Sequence, residues 1–456
     1  MNFSIGQKFV AQKEFGKALE VFTNLRKKEN NNDEVLFYLG LIYFELNNYD
    51  KSIYYYEKFL KKKPNSILAL YNLAFVKQSI GQIESAKNIY LKLIKIDKNK
   101  IRPYYGLFTL NPKNLDDEKF DIILKIKDNS RHSLFEEGII NYLLSKKEKL
   151  KNNYLEEIEY LKKSHNFIYE SKKKYNVSSQ FYLNEIQSKF CNKIKFINTK
   201  FINKEIIPIF IIGLPRSGST LIEAILGSGL ENVNSLGECH VINTSILEQI
   251  GSKIYAKDFD IKTFNFELDQ RIFYESVLRK YDHFNYSNKV NNKILIDKSL
   301  ENFFNIEAII KIFPKAKFIH SFRNPYDSII SIYQSMLSEL PWTHSIEDII
   351  RYINNYLIII SHFKKKYPEA IIDINLEELT NNSENISKDI YRFCGFKWNE
   401  DALNFYKRDN LHSKTLSFAQ IRNKVSKYNT KKYQPYFHLI KKYKESFNWL
   451  KHNSIE

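Results

Sequence analysis

The chain is 456 residues long, 43% hydrophobic and 27% charged, with a formal net charge of +18 at pH 7. That length allows two or three domains with ample apolar side chains for their cores, and no stretch approaches the roughly 18 uninterrupted apolar residues of a membrane span. The N-terminus, Met1-Asn-Phe-Ser-Ile-Gly-Gln-Lys8, lacks a signal-peptide core, and Cys191, Cys239 and Cys394 are widely spaced without a C-x-x-C pair. Neither a disulfide framework nor a zinc site follows from such cysteines, no metal is expected, and the expected compartment is the cytoplasm.

The charge is unevenly placed. Residues 1–205 carry 37 Lys and Arg against 24 Asp and Glu, and the remaining residues carry 33 against 28. Basic runs such as Lys61-Lys62-Lys63 and Lys172-Lys173-Lys174 fall between or at the edges of helical patterns. They read as the solvated surface of a Lys-, Asn- and Ile-rich chain, or as a basic face for an acidic partner. No nucleic-acid motif accompanies them, so no nucleic-acid partner is expected.

Three positions recur in the first hundred residues. Gly6, Gly40 and Ala74 are 34 residues apart, as are Ala18, Ser52 and Ala86, and as are Phe22, Tyr56 and Tyr90. Tyr43 and Pro64 add two further positions in the second unit of this period. The pattern resembles the tetratricopeptide repeat, in which two helices approach closely only where side chains are small. It covers residues 1–100 clearly. Residues 101–205 still read as helices, as a divergent repeat with a lysine-rich insertion from Lys146 to Lys151 and a capping helix over 178–195. The first domain is therefore expected over 1–205, all-α. Repeats of this kind imply either a concave surface for a protein or peptide partner or a scaffold that packs on the second domain or on another copy of the chain.

From Ile206 the pattern changes to short apolar strands alternating with helices. Strands are expected at Ile207–Ile212, Ile294–Asp297, Lys317–Phe322 and Ile371–Leu376, and helices at Thr220–Gly227, Asn302–Phe313, Pro325–Leu337 and Ser383–Cys394. This alternation implies a parallel sheet with helices on both faces and ligands at the carboxyl ends of its strands, in an α/β domain over 206–456.

The first of those strands leads into Gly213-Leu-Pro-Arg-Ser-Gly-Ser-Thr220. A strand, a small-residue loop and a helix start bring backbone N–H groups and a helix N-terminus onto a phosphate. Gly213, Gly218 and Thr220 fit the phosphate-loop pattern G-x-x-x-x-G-K-[ST], but Ser219 replaces its lysine and Arg216 lies inside the loop. A nucleotide kinase without that lysine lacks its main positive charge on the transferring phosphoryl group.

With the loop, the segment Lys317-Phe-Ile-His-Ser-Phe-Arg-Asn-Pro-Tyr-Asp-Ser-Ile-Ile-Ser331 resembles sulfotransferases that use 3′-phosphoadenosine 5′-phosphosulfate. In that resemblance Pro215, Arg216, Ser217, Gly218, Ser219 and Thr220 form the 5′-phosphosulfate loop, and Arg323 and Ser331 hold the 3′-phosphate, Arg323 as a permanently charged planar fork. Glu238, in Leu236-Gly-Glu238, resembles the general base of tyrosylprotein sulfotransferases, a role open to a carboxylate whose pKa burial raises. His240 is the alternative base. Lys298 matches the lysine that stabilises the transition state, and Thr415-Leu-Ser-Phe-Ala-Gln-Ile-Arg422 with Lys432-Tyr433-Gln-Pro-Tyr436 resembles a segment that folds over the donor. Ser417 would then lie by the sulfuryl group, and Arg422 and Lys432 by the nucleotide phosphates.

Four departures mark the limits of the resemblance. Asn423-Lys424 replaces a basic–proline pair, Tyr433 replaces tryptophan, Leu376 replaces a tyrosine beside the adenine, and no arginine follows Glu238. The expected activity is metal-free sulfuryl transfer to a hydroxyl on a protein tyrosine, a glycan or a small molecule, in a bacterial-type protein. The alternatives are a repeat scaffold with a degenerate nucleotide-binding domain and a variant phosphate-loop kinase.

Overall fold

A computed structural model describes residues 2–28, 32–129, 131–188, 194–198, 206–230, 233–254, 259–260, 266–284, 294–408, 411–415 and 417–447. Cys191 lies outside them. The chain forms two compact units: one comprises Met1–Ser130, Leu278–Val290 and Lys407–Asn423, the other Arg131–Val277, Asn291–Tyr406 and Lys424–Glu456.

The first unit is built from helix pairs, Phe3–Ala11 with Phe15–Lys28, Asp33–Glu45 with Tyr49–Lys62, Ile67–Ser79 with Ile83–Ile96, and Ile101–Leu110 followed by Asp117–Asn129. The 34-residue period is the reason these helices pair. A Cβ at Gly40 would come within 2.9 Å of the Tyr56 ring, so only a residue without one lets Tyr56 lie across the neighbouring helix. Ser52, on the same face, donates its hydroxyl to the Gly40 carbonyl at 2.7 Å. Phe22, Tyr56 and Tyr90 are almost wholly buried, as their place in the repeat requires.

The short segment Lys407–Asn423 belongs to this first unit although it comes late in the chain. Ser413 N–H donates to the Ser79 carbonyl at 3.0 Å, and Lys414 donates to the Glu45 carbonyl at 3.1 Å. The His412 ring packs 4.6 Å from that of Tyr49.

The second unit starts earlier than the expected boundary at residue 205. Its helices Leu134–Leu150 and Tyr154–Ser171 pair through a repeat-like contact, with Ser164 donating to the Gly138 carbonyl at 2.8 Å. Polar contacts hold this hairpin within the second unit. Lys146 Nζ donates to the Gln334 carbonyl at 2.8 Å, and the His165 ring stacks on Tyr333 at 4.4 Å. The lysine-rich stretch is thus the last turn of a helix rather than an insertion. The expected cap is helical over Lys173–Phe181 and Tyr182–Gln187, but Ile194–Ile197 is a strand, β1. Its alternation of apolar Ile194 and Phe196 with Lys195 has the strand period of two, not the helical one.

β1 pairs in parallel with β4 (Phe266–Asp269) as a small separate sheet. The main sheet contains β2 (Ile207–Gly213), β3 (Val233–Ser235), β5 (Ile294–Asp297), β6 (Lys317–Phe322) and β7 (Ile371–Asn375) in the spatial order β3-β5-β2-β6-β7. All its pairings are parallel. β2 is central, and Ile209, Phe210, Ile211 and Ile212 are fully buried, as a strand covered on both faces should be. The expected strands and their following helices are present, with Leu300–Asn305 a 3-10 turn ahead of the helix Ile306–Ile312. β3 and the helix Ile346–Lys366 were not anticipated.

Candidate functional site

The spatial order of the strands sets what converges at the carboxyl edge of the sheet. Going across it, the chain leaving β3 carries Glu238, β5 ends at Lys298, β2 opens into the loop 214–218, and β6 ends at Arg323. Neighbouring strands lie about 4.8 Å apart, so four adjacent strands present these groups side by side. Ligands of open parallel sheets bind at this edge.

The β2 loop is tied to β6. Gly213 pairs with Ser321, and a Cβ on Gly213 would come within 2.2 Å of the Ser321 carbonyl oxygen. Ser321 donates its hydroxyl to the Ser217 carbonyl at 2.6 Å, and Ser217 donates to the Leu214 carbonyl at 2.7 Å. The Ser217 hydroxyl is therefore committed to shaping the loop. Arg216 has a φ of +68° and Gly218 a φ of +95°, the latter immediately before the helix Ser219–Gly229. A left-handed arginine costs on the order of 1–3 kcal/mol, strain of the kind that clusters at binding sites. Leu376, at the end of β7, packs against Gly218 and closes the loop from outside.

β6 ends in the second phosphate motif. Asn324 accepts from Tyr326 N–H at 2.9 Å and caps the helix Pro325–Tyr333, with Pro325 at its first position. Arg323 is buried, donates to the Asp327 carbonyl at 2.5 Å, and lies 5.2 Å from the Tyr433 ring. Its Nε, buried, has no hydrogen-bond partner among the described residues. Lys432 Nζ lies 5.1 Å over the Tyr433 ring, and Ser331 and Lys432 both favour the ionised phenol.

Arg216, Arg323 and Tyr433 share one electrostatic environment. Burial pushes the Arg216 guanidinium pKa down, the Tyr433 phenol opposes that, and Arg323 repels it further. Burial alone would raise the phenol of Tyr433, but Arg323 and Lys432 outweigh it and bring its pKa down to about 8. Nearby Asp327 is pushed up by burial and accepts from the Tyr428 hydroxyl. Buried like charges raise each other's free energy, and an anion between them relieves it.

On the other side of β2, Lys298 is 1% exposed and donates to Glu238 Oε1 at 3.1 Å, with Glu223 Oε2 at 3.6 Å. Burial would depress its ammonium, yet the carboxylates of Glu238 and Glu223 prevail and hold it well above the usual lysine range. Backbone bonds set this register: Leu236 N–H donates to the Ile296 carbonyl and Lys298 N–H to the Gly237 carbonyl, both at 2.9 Å. Glu238 is not buried; its side chain is 43% exposed. His240, at a φ of +52°, pairs its Nδ1 with Glu301, and its N–H donates to Ser299 Oγ at 2.8 Å. Burial, with Asp297 nearby, pushes the Cys239 thiol well up, so it carries little thiolate.

The second unit thus brings together Pro215, Arg216, Ser217, Gly218, Ser219, Thr220, Glu238, Lys298, Arg323, Ser331 and Lys432. Ser417 and Arg422 belong to the first unit. Arg422 donates through one terminal nitrogen to the carbonyls of Leu411 at 2.8 Å and Ser79 at 3.2 Å. Tyr433 enters the sequence pattern only as a departure, and no sequence motif marks Glu223, Lys146 or Lys149. Helical spacing was the missed signal: Tyr142, Lys146 and Lys149 lie at i, i+4 and i+7 on one face.

Residues 208–400 match the sulfotransferase family model, and residues 33–66 match the tetratricopeptide repeat model. An uncharacterised protein of Aquifex aeolicus (strain VF5) is 28% identical over 239 residues, 50% of this chain but only 30% of that protein's length. Similar solved structures include the sulfotransferase domain of the Synechococcus PCC 7002 olefin synthase, 19% identical, covering 50% of this chain and 91% of that one at a TM-score of 0.33. A sulfotransferase from Mycobacterium tuberculosis H37Rv is 14% identical, covering 67% and 95% at a TM-score of 0.31. MamA is 20% identical, covering 38% and 99% at a TM-score of 0.30. Among the described residues no helix is long and apolar enough to cross a membrane. The chain carries a domain of the sulfotransferase family behind a tetratricopeptide repeat region.

Proposed function

We propose that this chain transfers a sulfuryl group from 3′-phosphoadenosine 5′-phosphosulfate to a hydroxyl acceptor. The observation that carries this reading is the pair of guanidinium groups, half-buried Arg216 and buried Arg323, at the ends of adjacent strands β2 and β6, with the Tyr433 ring 5.2 Å from Arg323. A nucleotide bearing phosphate at both ends of its ribose suits two such cups, and the buried Arg323 Nε without an acceptor is available to one of them.

In this reading the N–H groups of residues 216–220 and the start of the helix Ser219–Gly229 hold the 5′-phosphosulfate. Arg323, Ser331 and Lys432 hold the 3′-phosphate. The acceptor oxygen attacks sulfur, the bond from sulfur to the bridging oxygen breaks, and that oxygen keeps the electron pair. Glu238 takes the acceptor proton, and Lys298 and Arg216 stabilise the charge on the departing phosphate. The products are a sulfate ester and 3′-phosphoadenosine 5′-phosphate. Lys298 is fixed by Glu223 as well as Glu238, so it stays in place when Glu238 becomes neutral. Such preorganised charge commonly contributes several kcal/mol.

The acceptor class stays a protein tyrosine, a glycan or a small molecule, with the repeats binding a protein or peptide partner. Incubating sulfur-labelled donor with an extract of the source cells tests the reading. The expected result is a labelled acceptor with the wild type and none with Glu238→Gln. Label transfer that survives Glu238→Gln moves the base role to His240, and no transfer by the wild type contradicts the enzyme reading.

A further inference from the structure

The helix Leu134–Leu150 brings two lysines toward the Tyr433 end of the site. Lys146 is buried, donates to the Gln334 carbonyl and lies 4.4 Å over the Tyr142 ring. Lys149 donates to Gln334 Oε1 at 2.8 Å, has Glu157 Oε1 at 3.7 Å, and lies 5.3 Å over the Tyr436 ring.

These contacts are one rung from the phosphate motif. Gln334 follows Ser331 by one turn at the end of the helix Pro325–Tyr333, and Tyr436 follows Tyr433 by one turn of a 3-10 segment. Ser331 meets Tyr433, and Lys149 meets both Gln334 and Tyr436. Lys149 also feels the charges of Lys432 and Tyr433 directly.

Glu157 does not account for this concentration of positive charge. Its oxygens already accept from Gln334 Nε2 at 3.3 Å and the Tyr436 hydroxyl at 2.5 Å. One buried carboxylate faces Lys149 with Lys432 nearby, while burial brings the Lys146 ammonium down to about 7. Lys149 is one-third exposed, with a mobile stem and donors to spare.

Resting on the donor assignment above, we propose that Lys149 is a third cationic arm for the donor's 3′-phosphate, beside Arg323 and Lys432. The nucleotide site then extends upstream of residues 208–400 into the helical hairpin. Lys146 holds Gln334 in place and does not reach the phosphate.

The test is calorimetric titration of the full chain with 3′-phosphoadenosine 5′-phosphate and, separately, with adenosine 5′-phosphate. The wild type is compared with Lys149→Gln and Lys149→Arg, each checked by thermal melting. The expected result is that Lys149→Gln weakens the bisphosphate about tenfold, the worth of one charge-assisted contact. The monophosphate should bind as before, and Lys149→Arg should recover most of the loss. Equal weakening of both nucleotides, or no change in either, overturns the proposal while a wild-type preference for the bisphosphate keeps the donor assignment. A wild type with no such preference overturns both.

Discussion

Between the helices of the repeat unit, Gly40 meets Tyr56 and Gly106 meets Tyr90. At the edge of the main sheet, the Arg323 guanidinium and the Lys298 ammonium are buried instead. Both regions are closely packed, but the first gains stability from complementary shape and the second gives some up to concentrate charge. The contrast teaches where function lies. A small residue against an aromatic one satisfies itself, whereas buried Arg323 keeps an Nε with no hydrogen-bond partner among the described residues.

The comparison can be broken by substitutions whose effects should stay on their own side. The largest effect is expected at the proton acceptor. Glu238→Gln should lower turnover by roughly 10²–10⁴-fold, the usual worth of a positioned base, while 3′-phosphoadenosine 5′-phosphate binds unchanged. Lys298→Met should lower turnover by about 10²–10³-fold through the lost charge on the leaving group. Measuring single-turnover transfer separates this from donor binding, and a Lys298→Met enzyme with normal turnover would remove Lys298 from the chemistry.

A smaller, purely structural effect is expected in the repeats. Gly40→Leu overpacks the contact with Tyr56 and should cost about 1–3 kcal/mol, read as a lower melting temperature. Donor affinity should not change, and a parallel loss of donor binding would show that the two regions are not energetically separate.

The finest test uses Tyr433, whose phenol is held at about 8 by Arg323 and Lys432 against the raising effect of burial. Its folded pKa is below the ordinary value near 10. The tyrosinate therefore stabilises the fold fully above pH ~10 and loses that contribution as pH falls toward 8. Ultraviolet titration should show one tyrosine ionising near pH 8, absent in Tyr433→Phe and moved upward by bound bisphosphate. A low transition that survives Tyr433→Phe would contradict the environment assigned to that ring.

Much of this was legible in the sequence because local rules dominate there. The 34-residue period fixed the repeat helices through side-chain size, and β2, β5, β6 and β7 appeared as short apolar runs. The loop residues from Pro215 to Thr220, with Arg323 and Ser331, stood out because phosphate loops keep residue types at fixed spacing. Tertiary placement was less legible. Glu238 reads as a buried base, yet its ion pair with Lys298 depends on backbone pairing between residues 236–237 and β5. Arg422 sits in a donor-covering motif, but one terminal nitrogen donates to the Ser79 and Leu411 carbonyls. Lys146 and Lys149 looked like an insertion because a lysine run is usually solvent-facing, and only the fold of the hairpin turns them inward.

The central claim is that Arg216 and Arg323 grip opposite ends of one nucleotide, and titrating 3′-phosphoadenosine 5′-phosphate against the wild type and Arg323→Ala tests it most directly. The account predicts clear binding by the wild type and a loss of about tenfold or more in the variant, whose fold is checked by melting. Equal affinity in the two proteins, or no binding by either, would contradict it.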